Sequence, residues 1–159
     1  LDRSPTHLLH RAGQCVGDIF LGEMGGSDLT PRQYAVLVTV SLNEGLSQTN
    51  LVERTGIDRS TLADVVRRML KKGLLQRRRT KEDARTNSIK LTPLGKKSLK
   101  LAQSGAEDVD KKLLQLFPAS ERKNLIDNPS LLAAEMDKLD DEEAEKPAPT
   151  KVKLKRRPA

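Results

Sequence analysis

The side chains in this chain best suited to chemistry are cations, and they are grouped. Arg77, Arg78 and Arg79 are consecutive, Lys81 follows closely, and Arg85 stands two residues after Asp83. Guanidinium and ammonium groups at such density bind phosphate, and a carboxylate near an arginine can grip its guanidinium bidentately and fix its direction. A second group is Arg59, Ser60 and Thr61, a cation beside two short hydrogen-bonding side chains. At the start of a helix such a trio suits base edges and phosphate oxygens. From Val66 to Lys100, thirteen lysines and arginines stand against two acids, Glu82 and Asp83, a local +11 in a chain of +7. That imbalance is the electrostatic footprint of a nucleic-acid binder. Glu82 has no evident role.

Other chemistry is poorly supplied. Cys15 is the single cysteine, which excludes an internal disulfide and the multi-cysteine zinc patterns. His7 and His10 are three apart but lack acidic or cysteine companions, so no metal is expected. No nucleophile and base constellation or glycine-rich phosphate loop appears, so neither an enzyme nor a cofactor is expected. No apolar run is long enough to span a bilayer and no secretory leader is visible, which predicts a soluble, cytoplasmic protein without a membrane partner.

The elements that must position these residues follow from periodicity. Apolar residues from Leu8 to Phe20 recur at spacings of three and four, which predicts an amphipathic helix over 6–23. Its Gly13 and Gly17 suit close packing against another helix, and Gly25 and Gly26 mark a turn. Thr30 and Pro31 open a second helix with Tyr34, Leu37, Val38 and Leu42 on its inner face. Ser47 caps a short third helix that ends before Gly56, and Asp58 caps a fourth with Leu62, Val65, Val66, Met69 and Leu70 inward. Two short helices around a tight glycine turn make a helix-turn-helix, the second presenting Arg59, Ser60 and Thr61. "LLQRRRT" and "TNSIKLT" then form two strands around a charged tip. Thr92 and Pro93 start a long helix to Phe117, and a last helix from Ser120 to Leu139 is expected to break at Asn128 and Pro129. Residues 141–159, an acidic then basic, proline-rich tail, are expected to be disordered. With Phe20, Tyr34 and Phe117 as the aromatic residues, the core must be aliphatic.

This order of elements resembles the winged helix regulators of the multiple antibiotic resistance regulator (MarR) family, over roughly residues 6 to 140. The motif that carries the resemblance is Asp83-x-Arg85, then a hydrophobic strand ending in Leu91-Thr92 and a helix opening with Gly95; "MLKKGLLQR", with Gly73 and Arg77, also fits. The implied fold is mainly α with a small β-hairpin wing. Residues 30–95 would form the DNA-binding lobe, with dimerisation helices at 6–23 and 93–139. The resemblance implies a homodimer on a pseudo-palindromic double-stranded operator, with a small-molecule effector. Its branch responding to aromatic acids or their coenzyme A thioesters looks nearest.

Roles can then be assigned. Arg59, Ser60 and Thr61 are expected at bases and phosphates, with Asp64 and Arg67 further along the same helix. Strand alternation puts Arg77 and Arg79 on one side, as phosphate binders with Lys81, and Arg78 on the other, so the three cannot all face DNA. Arg85 would enter a narrow minor groove, aimed by Asp83. For an effector, Arg11 and Arg32 would meet negative charge, with His7, Phe20 and Tyr34 near an acyl or aromatic part. Cys15, on the apolar face without a cationic activator, reads as a buried structural cysteine; peroxide sensing through it is one alternative, and non-specific architectural DNA binding another. The Asp83 assignment has an asymmetric consequence. Asp83→Ala is expected to weaken DNA binding although it makes the chain more positive, and tighter binding in a fluorescence-anisotropy titration would refute it.

Overall fold

Each of the first four helices starts at a side chain that answers an orphan backbone N–H. For α1 (Pro5–Glu23) Ser4 accepts from the His7 N–H, and for α2 (Pro31–Leu42) Thr30 accepts from Gln33 while the Gln33 amide oxygen accepts from the Thr30 N–H. Ser47 and Asn50 make the same reciprocal box for α3 (Gln48–Thr55), and Asp58 caps α4 (Arg59–Lys71) through the Thr61 N–H. Between α3 and α4, Gly56 adopts φ 63°, a left-handed conformation that a side chain would disfavour. The computed structural model describes residues 1–24, 27–43, 45–79 and 87–145, with the backbone alone at 79, 87 and 140–145. The glycine turn expected at Gly25 and Gly26 lies outside the described residues, as do residues 146–159 of the expected tail. No described helix is long and apolar enough to cross a membrane.

The hairpin pairs β1 (Leu75–Arg79) with β2 (Asn87–Leu91) antiparallel, Leu75 opposite Leu91 and Arg77 opposite Ile89. An isolated bridge adds Leu46, whose carbonyl accepts from the Ile89 N–H at 2.8 Å. This ties the segment before α3 to the hairpin and leaves Ile89 fully enclosed. Two long helices follow, α5 (Pro93–Gln115) and α6 (Arg122–Glu145). The chain divides into two units, Leu1–Leu113 and Leu114–Ala159. The core belongs to the first and is aliphatic, built around Val36, Leu37, Leu51, Leu62, Val66 and Met69. As expected from the sequence, the architecture is mainly helical with one small hairpin.

Four expectations need correction. In α2 the inner face is Gln33, Val36, Leu37 and Val40, while Leu42 is 76% exposed. This helix has neighbours in α1, α3, α4 and β2, so its burial is not one narrow stripe. Helix α6 continues through Pro129: the chain gives up one backbone bond there, as proline must, and the Ser130 hydroxyl donates to the Ile126 carbonyl at 2.8 Å. Its backbone also runs to Glu145, into the stretch expected to be disordered. Finally, Cβ atoms at Gly13 or Gly17 would meet nothing within 4 Å, so among the described residues nothing approaches that pair closely.

The base of the hairpin is joined to α5 by an unusually close contact. A Cβ on Gly95 would lie 2.1 Å from the Leu74 carbonyl oxygen. Thr92 completes the joint, its hydroxyl donating to the Gly73 carbonyl at 2.6 Å and accepting from the Gly95 N–H at 3.0 Å. Its own N–H donates to the Leu74 carbonyl at 3.1 Å. Gly95→Ala is expected to lower unfolding stability by about 2–3 kcal/mol, read as a lower urea midpoint, since backbone has to move to admit the methyl group. An unchanged midpoint would mean that the approach is not held by packing.

Candidate nucleic-acid interface and ligand cleft

The first turn of α4 is organised by Asp58. Its carboxylate accepts from the Thr61 N–H at 2.9 Å and from the Ser60 hydroxyl at 2.7 Å. Hydrogen bonds from Thr61, then from Ser60, hold the Asp58 carboxyl far below the usual carboxylate range. With the Ser60 proton committed to Asp58, the lone pairs of its oxygen remain as acceptors. Arg59 and Ser60 are exposed and Thr61 is half-buried, so the trio is displayed together at the positive end of a helix dipole. One turn on, Asp64 accepts from Arg67 and, at 2.7 Å, from Arg68. These bonds, Arg67 first, lower the Asp64 pKa. Both guanidiniums lie along the helix surface beside one carboxylate.

In the hairpin, Arg77 Nη2 donates to Gln48 Oε1 at 3.5 Å, on the side that meets α3. Arg78 belongs to the opposite face, where it lines a cleft with Lys90, as strand alternation requires. Lys81, Asp83 and Arg85 lie outside the described residues, and so does the side chain of Arg79.

A larger cleft, of about 880 Å³, opens between α1, the start of α2 and α4. Leu9, His10 and Gln14 line it from α1, and Thr30 and Arg32 from the head of α2. From α4 come Ser60, Thr61, Asp64, Val65 and Arg68. One wall of the cavity is therefore the very turn that displays the hydrogen-bonding trio. Its volume is in the range of small-molecule sites, with apolar groups and a few convergent polar ones.

These features can be set beside known proteins. The MarR family model matches residues 27–86. Over 96 residues the chain is 33% identical to the transcriptional regulator HosA of Escherichia coli, taking in 60% of this chain and 71% of HosA. The chain belongs to the MarR family. Among solved structures it resembles PcaV, a transcriptional regulator of Streptomyces coelicolor captured with its natural ligand, at 30% identity and TM-score 0.76, over 84% of this chain and 94% of PcaV. It also resembles BpsR of Bordetella bronchiseptica, whose DNA binding is regulated by 6-hydroxynicotinic acid, at 26% identity and TM-score 0.77, over 84% of this chain and 95% of BpsR. The family consists of DNA-binding transcriptional regulators rather than enzymes.

In this MarR-family chain the cleft collects only part of the effector set read from the sequence. Arg32 lines it; His7, Arg11, Phe20 and Tyr34 do not. Phe20 is buried, its ring 5.6 Å from that of Tyr34, and the pair joins α1 to α2 as core packing. Burial, followed by Glu107 and Asp110 of α5, pushes the Tyr34 pKa up. Arg11 is exposed on α1 away from the cavity, and His7 is half-buried beside its cap. Cys15 is exposed rather than buried. The reason is that this chain covers only the last turns of α1: Phe20 is enclosed while Leu8 and Leu9 are 44% and 52% exposed. Sequence reasoning missed His10, Gln14 and Arg68. The signal was available for Arg68, since Thr61, Asp64, Val65 and Arg68 fall at i, i+3, i+4 and i+7, a single helix face.

The Asp58 cap yields a pH prediction. Its pKa is depressed in the fold, so its contribution is complete above the unfolded value, 3.8 for an ordinary aspartate, and is lost as pH falls below that value toward the folded one. Asp58→Ala is expected to melt at a lower temperature than the parent at pH 7, and the gap should narrow on acidification to pH 3. A gap that widens in acid would contradict the capping role.

Proposed function

We propose that the chain is a homodimeric repressor whose grip on a pseudo-palindromic operator is released by a small aromatic acid or its thioester. The observation that carries this reading is the shared wall of the larger cleft. Ser60 and Thr61 line a cavity and stand in the first turn of the helix that a helix-turn-helix inserts into a major groove. A ligand carboxylate would pair with Arg32 or Arg68 and its ring would rest on Leu9 and Val65. Occupancy then favours placements of α4 that no longer suit successive major grooves, because a ligand shifts an equilibrium only through different affinities for its two states. That BpsR responds to an aromatic acid supports this ligand class.

Arg59, Ser60 and Thr61 are the proposed base and phosphate contacts, with Asp64 and Arg67 orienting that face. Arg77, Arg79 and Lys81 would bind phosphates, and Arg85, aimed by Asp83, would enter the minor groove. The dimer reading rests on apolar side chains that this chain leaves uncovered in each unit. Leu8, Leu9 and Leu21 are exposed on α1, and Ile126, Leu131, Leu132, Met136 and Leu139 on α6. Such faces mark contact with a partner, and a second copy gives the two-fold symmetry that a palindrome needs. A protein so engaged with DNA is placed in the cytoplasm.

Two measurements test this reading. A duplex selected from a random pool should bind on the order of 10³-fold or more tightly than unselected duplex at fixed salt; equal affinities at every salt concentration would leave only architectural binding. Hydroxybenzoic or hydroxynicotinic acids should raise the melting temperature and release the selected duplex. Arg32→Ala should lose the ligand response while retaining DNA binding. If no aromatic acid or thioester shifts melting, the effector assignment fails.

A further inference from the structure

A second cleft, of about 420 Å³, lies on the opposite face of the hairpin from the side that meets α3. Arg78 from β1, Lys90 from β2, and Lys96 and Lys100 from α5 line it, and among the described residues no Asp or Glu does so. The register explains the convergence: Gln76 stands opposite Lys90 and Arg78 opposite Ser88, so Gln76, Arg78 and Lys90 share one sheet face. Leu91 and Leu99 supply apolar surface within it.

Folding does not account for this arrangement. The first turn of α5 carries no acid, and Lys96, close to that N-terminus, is a cation near the positive end of a helix dipole. Like charges brought together from β1 and α5, Arg78 with Lys96 and Lys100, repel one another. We propose that this cleft is a binding site for a small organic phosphate, its charge held by Arg78, Lys96 and Lys100 and its apolar part resting on Leu91 and Leu99. The shape argues for a free ligand over a duplex, because apolar surface inside a concavity suits a small amphiphile, whereas a phosphate backbone needs an accessible cationic surface. No lining residue is shared with the cleft between α1, α2 and α4. Bound there, such a ligand would bridge both strands of the wing to α5 and so bias the angle at which the wing is presented.

Calorimetric titration of the full chain with phenyl phosphate tests the site, with phenol as the uncharged comparison. Lys96 and Lys100 are both exposed, so a Lys96→Gln/Lys100→Gln double variant is expected to fold, checked by its melting curve. The expected result is one phenyl phosphate per chain, binding weakened by about tenfold or more in that variant, and no binding of phenol. Arg32→Ala and an Arg54→Gln/Lys71→Gln double variant, which removes equal charge elsewhere, should leave affinity within about twofold. Absence of phenyl phosphate binding, equal weakening in both double variants, or loss in Arg32→Ala would overturn the proposal. So would a Lys96→Gln/Lys100→Gln variant that binds phenyl phosphate normally but random duplex weakly, since the cleft would then serve the DNA backbone.

Discussion

The backbone oxygen of Leu74 is the point on which the helix-turn-helix and the hairpin jointly depend. Gly95 meets it so closely that no side chain fits between, and the Thr92 N–H donates to it. Leu74 lies between α4 and β1, and Thr92 between β2 and α5, so one carbonyl joins the exit of the helix-turn-helix to the exit of the hairpin. The Thr92 hydroxyl adds the Gly73 carbonyl to the same joint. Because Gly73 itself has φ 71°, the chain turns sharply out of α4 straight into this contact. Wing and recognition helix are therefore not independent appendages. A displacement of α5 is transmitted to β1 through backbone, which is far less compliant than side-chain packing.

The same economy appears at the start of α4, where capping and display use the same atoms. Asp58 satisfies the Thr61 N–H and takes the Ser60 proton, which stabilises the helix and leaves the Ser60 oxygen as an acceptor. The salt link of Asp28 to Lys72, at 2.5 Å, ties the segment before α2 to the other end of α4 and lowers the Asp28 pKa. Helix α4 is thus held at both ends by carboxylates, one internal to its own turn and one from the linker that borders the larger cleft. Neither contact is heavily buried, so each is modest in energy, and the larger restraint on α4 is the burial of Leu62, Val66 and Met69 in the core.

Much of this was legible in the amino-acid order because its signals are local. Capping hydroxyls, the prolines after them and the glycines at Gly56 and Gly73 fix helix limits within a few residues, and the order of elements they delimit is that of a winged helix. What failed depends on partners distant in sequence. The inner face of α2 was misjudged because several elements surround it. Phe20 and Tyr34 were assigned to a ligand because an aromatic side chain on the inner face of a helix looks the same in sequence whether it lines a cavity or closes a core. Pro129 was read as a break because a single lost hydrogen bond was weighed without the rest of the helix. Arg68 was passed over although it shares a helix face with Thr61, Asp64 and Val65, because the cavity that face lines is formed with α1.

The exposed face of α1 bears on the proposed dimer. Over its first turns Leu8, Leu9 and Cys15 are uncovered, and Gly13 and Gly17 have open space beside them, while the last turns pack Phe20 and Ile19 on the core. A helix cannot gain from such a stripe in water, since at roughly 25 cal/mol per Å² each exposed leucine forgoes more than a kilocalorie of burial. The sequence keeps the stripe apolar beyond the reach of its own core, and in the proposed dimer a second copy would bury it. His10 and Gln14 lie on the same turns of α1 and line the larger cleft. If the first turns of α1 are held by a second copy, the α1 wall of the cleft becomes rigid, and the wall left to move is α4.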